Sequence, residues 1–180
     1  MSSVNFDPFD FLYRPEDARH YEKNYDDPQL QDTELCALCG GICCKRCGCF
    51  LSPDDFPDLS EEGLKREIDK GYLVIEEVDL DMIYMDGFAF IIRVRNVTDP
   101  VYIGMSYRAP SSPCILLGEH GCKLDWEHRP AGGKLLVPAE HGKCWSKYGL
   151  EETVREWKPY QRLLVKLGRY YDGRDIPCTL

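Results

Sequence analysis

Six of the chain's ten cysteines fall within fourteen residues, at Cys36, Cys39, Cys43, Cys44, Cys47 and Cys49. No other feature constrains the fold as tightly. The first four form Cys36-x2-Cys39-x3-Cys43-Cys44, written Cys-Ala-Leu-Cys-Gly-Gly-Ile-Cys-Cys. A two-residue gap lets one tight turn aim two sulfurs at one point. Gly40 and Gly41 permit positive φ, so the backbone can fold back and bring up a third sulfur. Thiolates are soft ligands, suited to zinc or to iron–sulfur units. Adjacent Cys43 and Cys44 are expected to point in different directions, and so to serve two metals, or one metal and the core.

A closed zinc site needs four protein ligands. Cys114, Cys122 and Cys144 can bring donors from afar, and His141-x2-Cys144 adds a mixed pair. The supply suffices for a binuclear site. The spacing is not the ferredoxin run of cysteines two apart. Ten cysteines in 180 residues stay below the roughly 8–10 % that marks a disulfide scaffold. No basic start followed by an apolar run opens the sequence, so no export signal is read. A cytoplasmic, reducing compartment is expected, where a cysteine cluster means metal more often than disulfide.

Charge narrows the partners. Lys plus Arg number 22 and Asp plus Glu 31, giving a net −9. Such a chain is a poor partner for phosphate backbones, where affinity comes from displaced counterions, and no nucleic acid is expected. The longest apolar run is Phe88–Ile92, far short of the roughly 20 residues that span a bilayer, so no membrane is expected either.

The chain reads as a 1–35 arm, acidic and aromatic, followed by a 36–180 cysteine-cluster domain. Pro15-Glu16-Asp17 opens a short helix in the arm. Ser52-Pro53-Asp54-Asp55 reads as an N-cap with Pro at the first helical position, and Ser60-Glu61-Glu62 caps a second helix that Gly71 closes. Strands are expected over Tyr72–Val78, Phe88–Val97 and Val101–Tyr107, with turns at Asp86-Gly87 and Asp99-Pro100. Residues 108–145, rich in Gly, Pro and Cys, should be mostly irregular. Leu150, Val154, Trp157, Leu164, Leu167 and Tyr171 carry a helical period, which Pro159 should kink or split. The fold class is α+β: a small domain of a few antiparallel strands, short helices and a C-terminal helix, stitched by a metal site. Trp126, Trp145 and Trp157 are expected in the core.

The motif Cys-x2-Cys-x3-Cys-Cys followed by a Leu51-Ser52-Pro53-Asp54-Asp55 helix start resembles the bacterial cysteine-cluster family of zinc- or iron-chelating proteins, the YkgJ-like group. That family carries a later Cys, a Gly-Cys, an Arg-Pro, a further Cys and a Pro. The counterparts here are Cys114, Gly121-Cys122, Arg129-Pro130 and Pro138. The likeness covers about residues 36–144 and implies metal binding, with no settled reaction. It makes Arg129 a candidate for donating to metal-bound thiolates; a turn residue paired with a local carboxylate is the equal alternative. The family's Cys shortly after Arg-Pro is missing, and Gly132-Gly133 stand near that place. The site is then one ligand short, or Cys144, Cys47 or Cys49 substitutes, or the metal is altered.

Metal ligands are therefore expected among Cys36, Cys39, Cys43, Cys44, Cys114, Cys122 and Cys144, holding zinc first and an iron or iron–sulfur centre second. His20, His120 and His128 read as surface residues, and Cys178 as a free or buried thiol. Asp54-Asp55 and Asp79-x-Asp81 read as structural acids. Three further classes stand beside metal binding: an enzyme with an open metal position, a metal carrier or redox sensor, and an exported disulfide protein.

Overall fold

The structure, a computed structural model, describes residues 23–30, 33–83, 87–105, 111–139 and 144–178. It is an α+β domain built on one small sheet. The helix expected at Pro15, and with it most of the 1–35 arm, lies outside the described residues.

The sheet has the order β2-β1-β3. β1 (Leu73–Asp79) and β2 (Phe88–Val94) pair antiparallel, with Leu73 opposite Val94 and Asp79 opposite Phe88. β3 shrinks to Tyr102–Ile103 and runs parallel to β1, so the sheet is mixed rather than purely antiparallel. The long connection that leaves β2 and returns beyond Asp99 places β3 on the far side of β1. A hairpin to β2's own edge would have given an antiparallel strand.

Beyond Phe88, β2 is buried throughout, and its open edge is occupied by backbone rather than by another strand. Leu51 N–H donates to the Ile92 carbonyl at 3.0 Å and Val94 N–H to the Cys49 carbonyl at 2.9 Å. Residues 49–51 thus lie along β2, and Phe50 forms a bridge with Arg93. Past the strand, Val97 N–H donates to the Pro113 carbonyl, and Ile115 N–H to the Arg95 carbonyl. The same stretch of chain therefore fixes both Cys49 and Cys114, 65 residues apart in sequence.

Helices cover the sheet. α2 (Glu61–Ile68) is capped by Ser60, whose hydroxyl accepts from Gly63 N–H, and Gly71 ends the segment at φ 84°. Ser52 caps a single 3₁₀ turn, Pro53–Asp55, in a reciprocal box with Asp55. The C-terminal helix splits at Pro159 into α4 (Leu150–Trp157) and α5 (Gln161–Tyr171), joined by a 3₁₀ turn. Proline cannot donate to the ladder and clashes with the preceding turn, which accounts for the break. Gln161 at the joint makes use of it: its side chain accepts from Phe90 N–H and donates to the Phe90 carbonyl. Val154, Trp157, Leu164, Leu167 and Tyr171 are all buried in the main core, and Trp157 Nε1 donates to the Leu51 carbonyl at 2.7 Å.

Residues 111–139 and 144–146 hold only short elements. They are β4 (Leu117–Gly118) with β5 (Gly121–Cys122), α3 (Ala131–Lys134), and β6 (Leu136–Val137) with β7 (Trp145–Ser146). Leu30, Ala131, Leu135, Val137 and Tyr148 form a second, smaller core beneath them. Lys23, buried with Glu156, holds the described end of the arm to α4. Of the three tryptophans expected in the core, Trp157 is there, Trp126 is half-buried outside both core clusters, and Trp145 is 53 % exposed. Trp145 sits on a two-residue strand whose partner strand is equally short, with the Lys147 ammonium 5.8 Å from its ring centre. Among the described residues no helix is long and apolar enough to cross a membrane.

Candidate functional site

The cysteine segment opens with a helix where a turn was expected. α1 spans Thr33–Cys39 and places Cys36 and Cys39 one helical turn apart. The side chains of these two residues lie outside what the structure describes. Gly40 and Gly41 then take φ 62° and 67°, the left-handed conformation that glycine adopts without strain. A Cβ on Gly41 would lie 2.7 Å from Leu117 Cδ1 and 3.6 Å from Gly121 Cα. Backbone therefore meets the β4–β5 hairpin directly, which brings Cys122 toward the loop.

The two halves of the sequence meet here. Cys114 N–H donates to the Cys44 carbonyl at 2.7 Å, and Asn96 ties both sides, bridging to Cys114 and accepting from Gly48 N–H at 2.7 Å. Between them lies a cavity of about 210 Å³ walled by Cys43, Cys44, Cys47, Cys49, Cys114 and Cys122. Glycines 132 and 133 of α3 close it, and Arg129 is the one cationic side chain among its described lining. Asp55 orients α3 by accepting from Ala131 N–H at 2.9 and 3.1 Å and from Ser52 N–H at 2.8 Å.

Five of these six thiols are partly or fully buried, and Cys47 is exposed. Cys43 and Cys44 do not diverge as expected: their sulfurs are 3.9 Å apart. The hairpin-like turn of residues 41–45, with Lys45 N–H on the Gly41 carbonyl, folds both side chains to one side. The shared proton separates their acidities. The hydrogen bond from Cys44 holds the Cys43 thiol below the ordinary value, while the same bond and burial push Cys44 up. Burial pushes Cys49 well up, reinforced by Cys114 and Cys122, and pushes Cys114 to about 11. Neutral thiols thus fill most of the wall. A cation inside it would reverse that preference by stabilising thiolates.

The remaining predicted residues are scattered. Cys144 is not in the cavity lining, but its sulfur, which accepts from Ala139 N–H at 3.3 Å, also hydrogen-bonds the Cys43 thiol and so joins the edge of the wall. Among the described residues Arg129 forms no salt bridge with a carboxylate, although, after the His128 hydrogen bonds, its charge helps hold Asp125 below its ordinary value, and its Nε donates to the Leu124 carbonyl at 3.2 Å. His128 hydrogen-bonds the Asp125 carboxylate through Nδ1 at the surface, His120 is exposed, and Cys178 is an exposed free thiol. His20 and His141 lie outside the described residues. The Ser52 cap uses Asp54 N–H and the Asp55 carboxylate, and Asp79 accepts from Asp81 N–H at the end of β1. Cys47 and Cys49 are the wall residues that spacing alone left open; Cys49 is placed by the pairing of residues 49–51 with β2. None of the eight described cysteine side chains is in a disulfide. Among the described residues no three His, Cys, Asp or Glu side chains lie close enough together to hold a metal ion. The chemistry of the donor set fits a soft ion, while the described sulfurs share a cavity rather than a point.

No family model matches the chain, and neither a curated protein nor a solved structure matches it.

Proposed function

We propose that the chain is an intracellular metal-binding protein whose cysteines hold zinc, or in second place an iron or iron–sulfur centre. The observation that carries this reading is the sulfur wall itself. Thiols from residues 43–49 and from residues 114–122 line one cavity although the sequence separates them widely. Cys43, Cys44, Cys114 and Cys122 would hold the metal together with Cys144 and with Cys36 and Cys39, the two cysteines of α1 that precede Gly40 and Gly41. The likeness of these motifs to the cysteine-cluster family supports the same assignment.

A bound ion would supply charge: it favours the thiolate form of sulfurs that burial otherwise keeps protonated, and it crosslinks the two loops. Arg129, the lone cation on the described wall, would offset part of the negative charge of the thiolates. Metal-binding energy would then be folding energy for residues 33–49 and 111–135, while the sheet and its helices stand without it.

The test is Cys39→Ser in the full chain. Bound metal should be lost, and the melting temperature should fall toward that of chelator-treated wild type. Metal retained at full stoichiometry would overturn the assignment.

A further inference from the structure

Independently of the metal reading, we infer that Cys43 and Cys144 are a redox-active pair, which a peroxide joins as a reversible disulfide in the metal-free chain.

Cys43 has a sulfur on either side. The Cys44 sulfur lies 3.9 Å away, and the Cys144 thiol hydrogen-bonds Cys43 as well. Thiols in hydrogen-bond contact need only side-chain rotation to close an S–S bond, provided the backbone lets their Cα atoms stand at the right separation. That condition chooses between the two partners. Adjacent Cα atoms are about 3.8 Å apart across a trans peptide, and a disulfide ordinarily spans about 4.4–6.8 Å between Cα atoms. A Cys43–Cys44 bond would therefore be strained and easily reduced. The backbone there resists adjustment: the Cys44 carbonyl accepts from Cys114 N–H at 2.7 Å, and Lys45 N–H closes the turn on the Gly41 carbonyl at 3.1 Å.

Cys144 lies far along the chain and escapes that limit. It precedes β7, outside the ladder that pairs Val137 with Trp145, so its side chain can turn without breaking a strand pair. Its sulfur is oriented by Ala139, accepting from the N–H at 3.3 Å and donating to the carbonyl at 3.6 Å. Both thiols are partly buried and free. Only Cys43 of the two lines the cavity of about 210 Å³, so Cys43 is the sulfur that a small oxidant entering the cavity meets first.

The chemistry then runs in two steps. The Cys43 sulfur attacks hydrogen peroxide; the O–O bond breaks, one water leaves, and Cys43 becomes a sulfenic acid. The Cys144 sulfur attacks the Cys43 sulfur, the S–S bond forms, and the hydroxyl departs with the Cys144 proton as a second water. Peroxide gains two electrons and the two thiols lose them. Under the metal reading, the same bond would withdraw Cys43 and Cys144 from the ligand set.

A disulfide map tests this. Full-length wild type, C44S and C144S are reduced, stripped of metal with a chelator, and given one equivalent of hydrogen peroxide per chain. Thiols are counted in denaturant, and an unreduced tryptic digest is read by mass spectrometry. Cleavage after Lys143 and Lys147 leaves one cysteine, Cys144, in its peptide. Wild type should lose two of its ten thiols, with residues 144–147 linked to the peptide that ends at Lys45 and fragment ions assigning the link to Cys43. Dithiothreitol should restore all ten. C44S should form the same link. C144S should lose thiols at least about tenfold more slowly, because the partner held in place is gone. A Cys43–Cys44 link, a link from Cys144 to any other cysteine, thiols lost without the 43–144 link, or an unchanged thiol count in wild type would each overturn the inference, as would C144S oxidising at the wild-type rate. Should either variant fail to fold, the map of the unaltered chain decides alone.

Discussion

β2 and the cysteine cavity share a border at Cys49 and Phe50, yet different forces hold them. On the sheet side, Ile91, Ile92, Val94, Trp157, Leu164 and Leu167 are all fully buried, and the helices that cover them are amphipathic in the usual period. On the cavity side the chain is drawn together by backbone contacts: Gly41 against Gly121, Gly132 against Phe50, and Cys114 N–H on the Cys44 carbonyl. The first region excludes water with side chains and is complete as it stands. The second encloses a cluster of thiols with one cation among its described lining, which under the proposed reading a bound cation would complete.

Breaking the sheet side should have the largest effect. Trp157→Ala removes a fully buried indole and its bond to Leu51, and should cost about 3–5 kcal/mol. Chemical denaturation should show one transition at lower denaturant, with the cavity lost alongside the core. An unchanged midpoint would mean that the α4–α5 joint does not organise the domain.

Gly132→Ala acts on the cavity side. The new methyl would enter 2.7 Å from the Phe50 carbonyl oxygen, and the shift it forces should cost about 1–3 kcal/mol. The sheet should survive, so far-UV circular dichroism should keep its native shape while the melting temperature falls. Full native stability would show that α3 is not seated on residues 49–50. The smallest effect is expected at Arg155, which bonds Glu151 on the exposed face of α4. Arg155→Ala should change stability by less than about 0.5 kcal/mol, and a larger loss would mean that the outer surface contributes more than the comparison allows.

The sheet side was also the more legible in sequence. Ser52 and Ser60 carry their caps, Pro159 its break and Gly71 its positive φ in local residue chemistry, so each was readable without knowing the neighbours. The β3 direction was not, because parallel pairing to β1 depends on the path of a long connection. At the cavity, the glycines after Cys39 declared their φ, while the helix through Cys36 and Cys39 did not: α1 is seven residues long, shorter than the stretch over which a helical period can be read. The convergence of Cys49, Cys114 and Cys122 was legible only as a surplus of thiols. Its cause is the laying of residues 49–51 and 113–115 on one strand and its continuation, a contact between segments far apart in the chain. Trp145 misled for a related reason, since a large apolar residue is usually buried but a two-residue strand offers nothing to bury it against.

The central claim is that the sulfur wall holds a metal. Elemental analysis and the visible spectrum of one anaerobically purified sample test it most directly. The account predicts stoichiometric metal: one or two zinc per chain in colourless protein, or iron with thiolate charge-transfer bands in a brown one. Protein that contains no stoichiometric metal, titrates as ten free thiols and takes up neither zinc nor iron on reconstitution would contradict it.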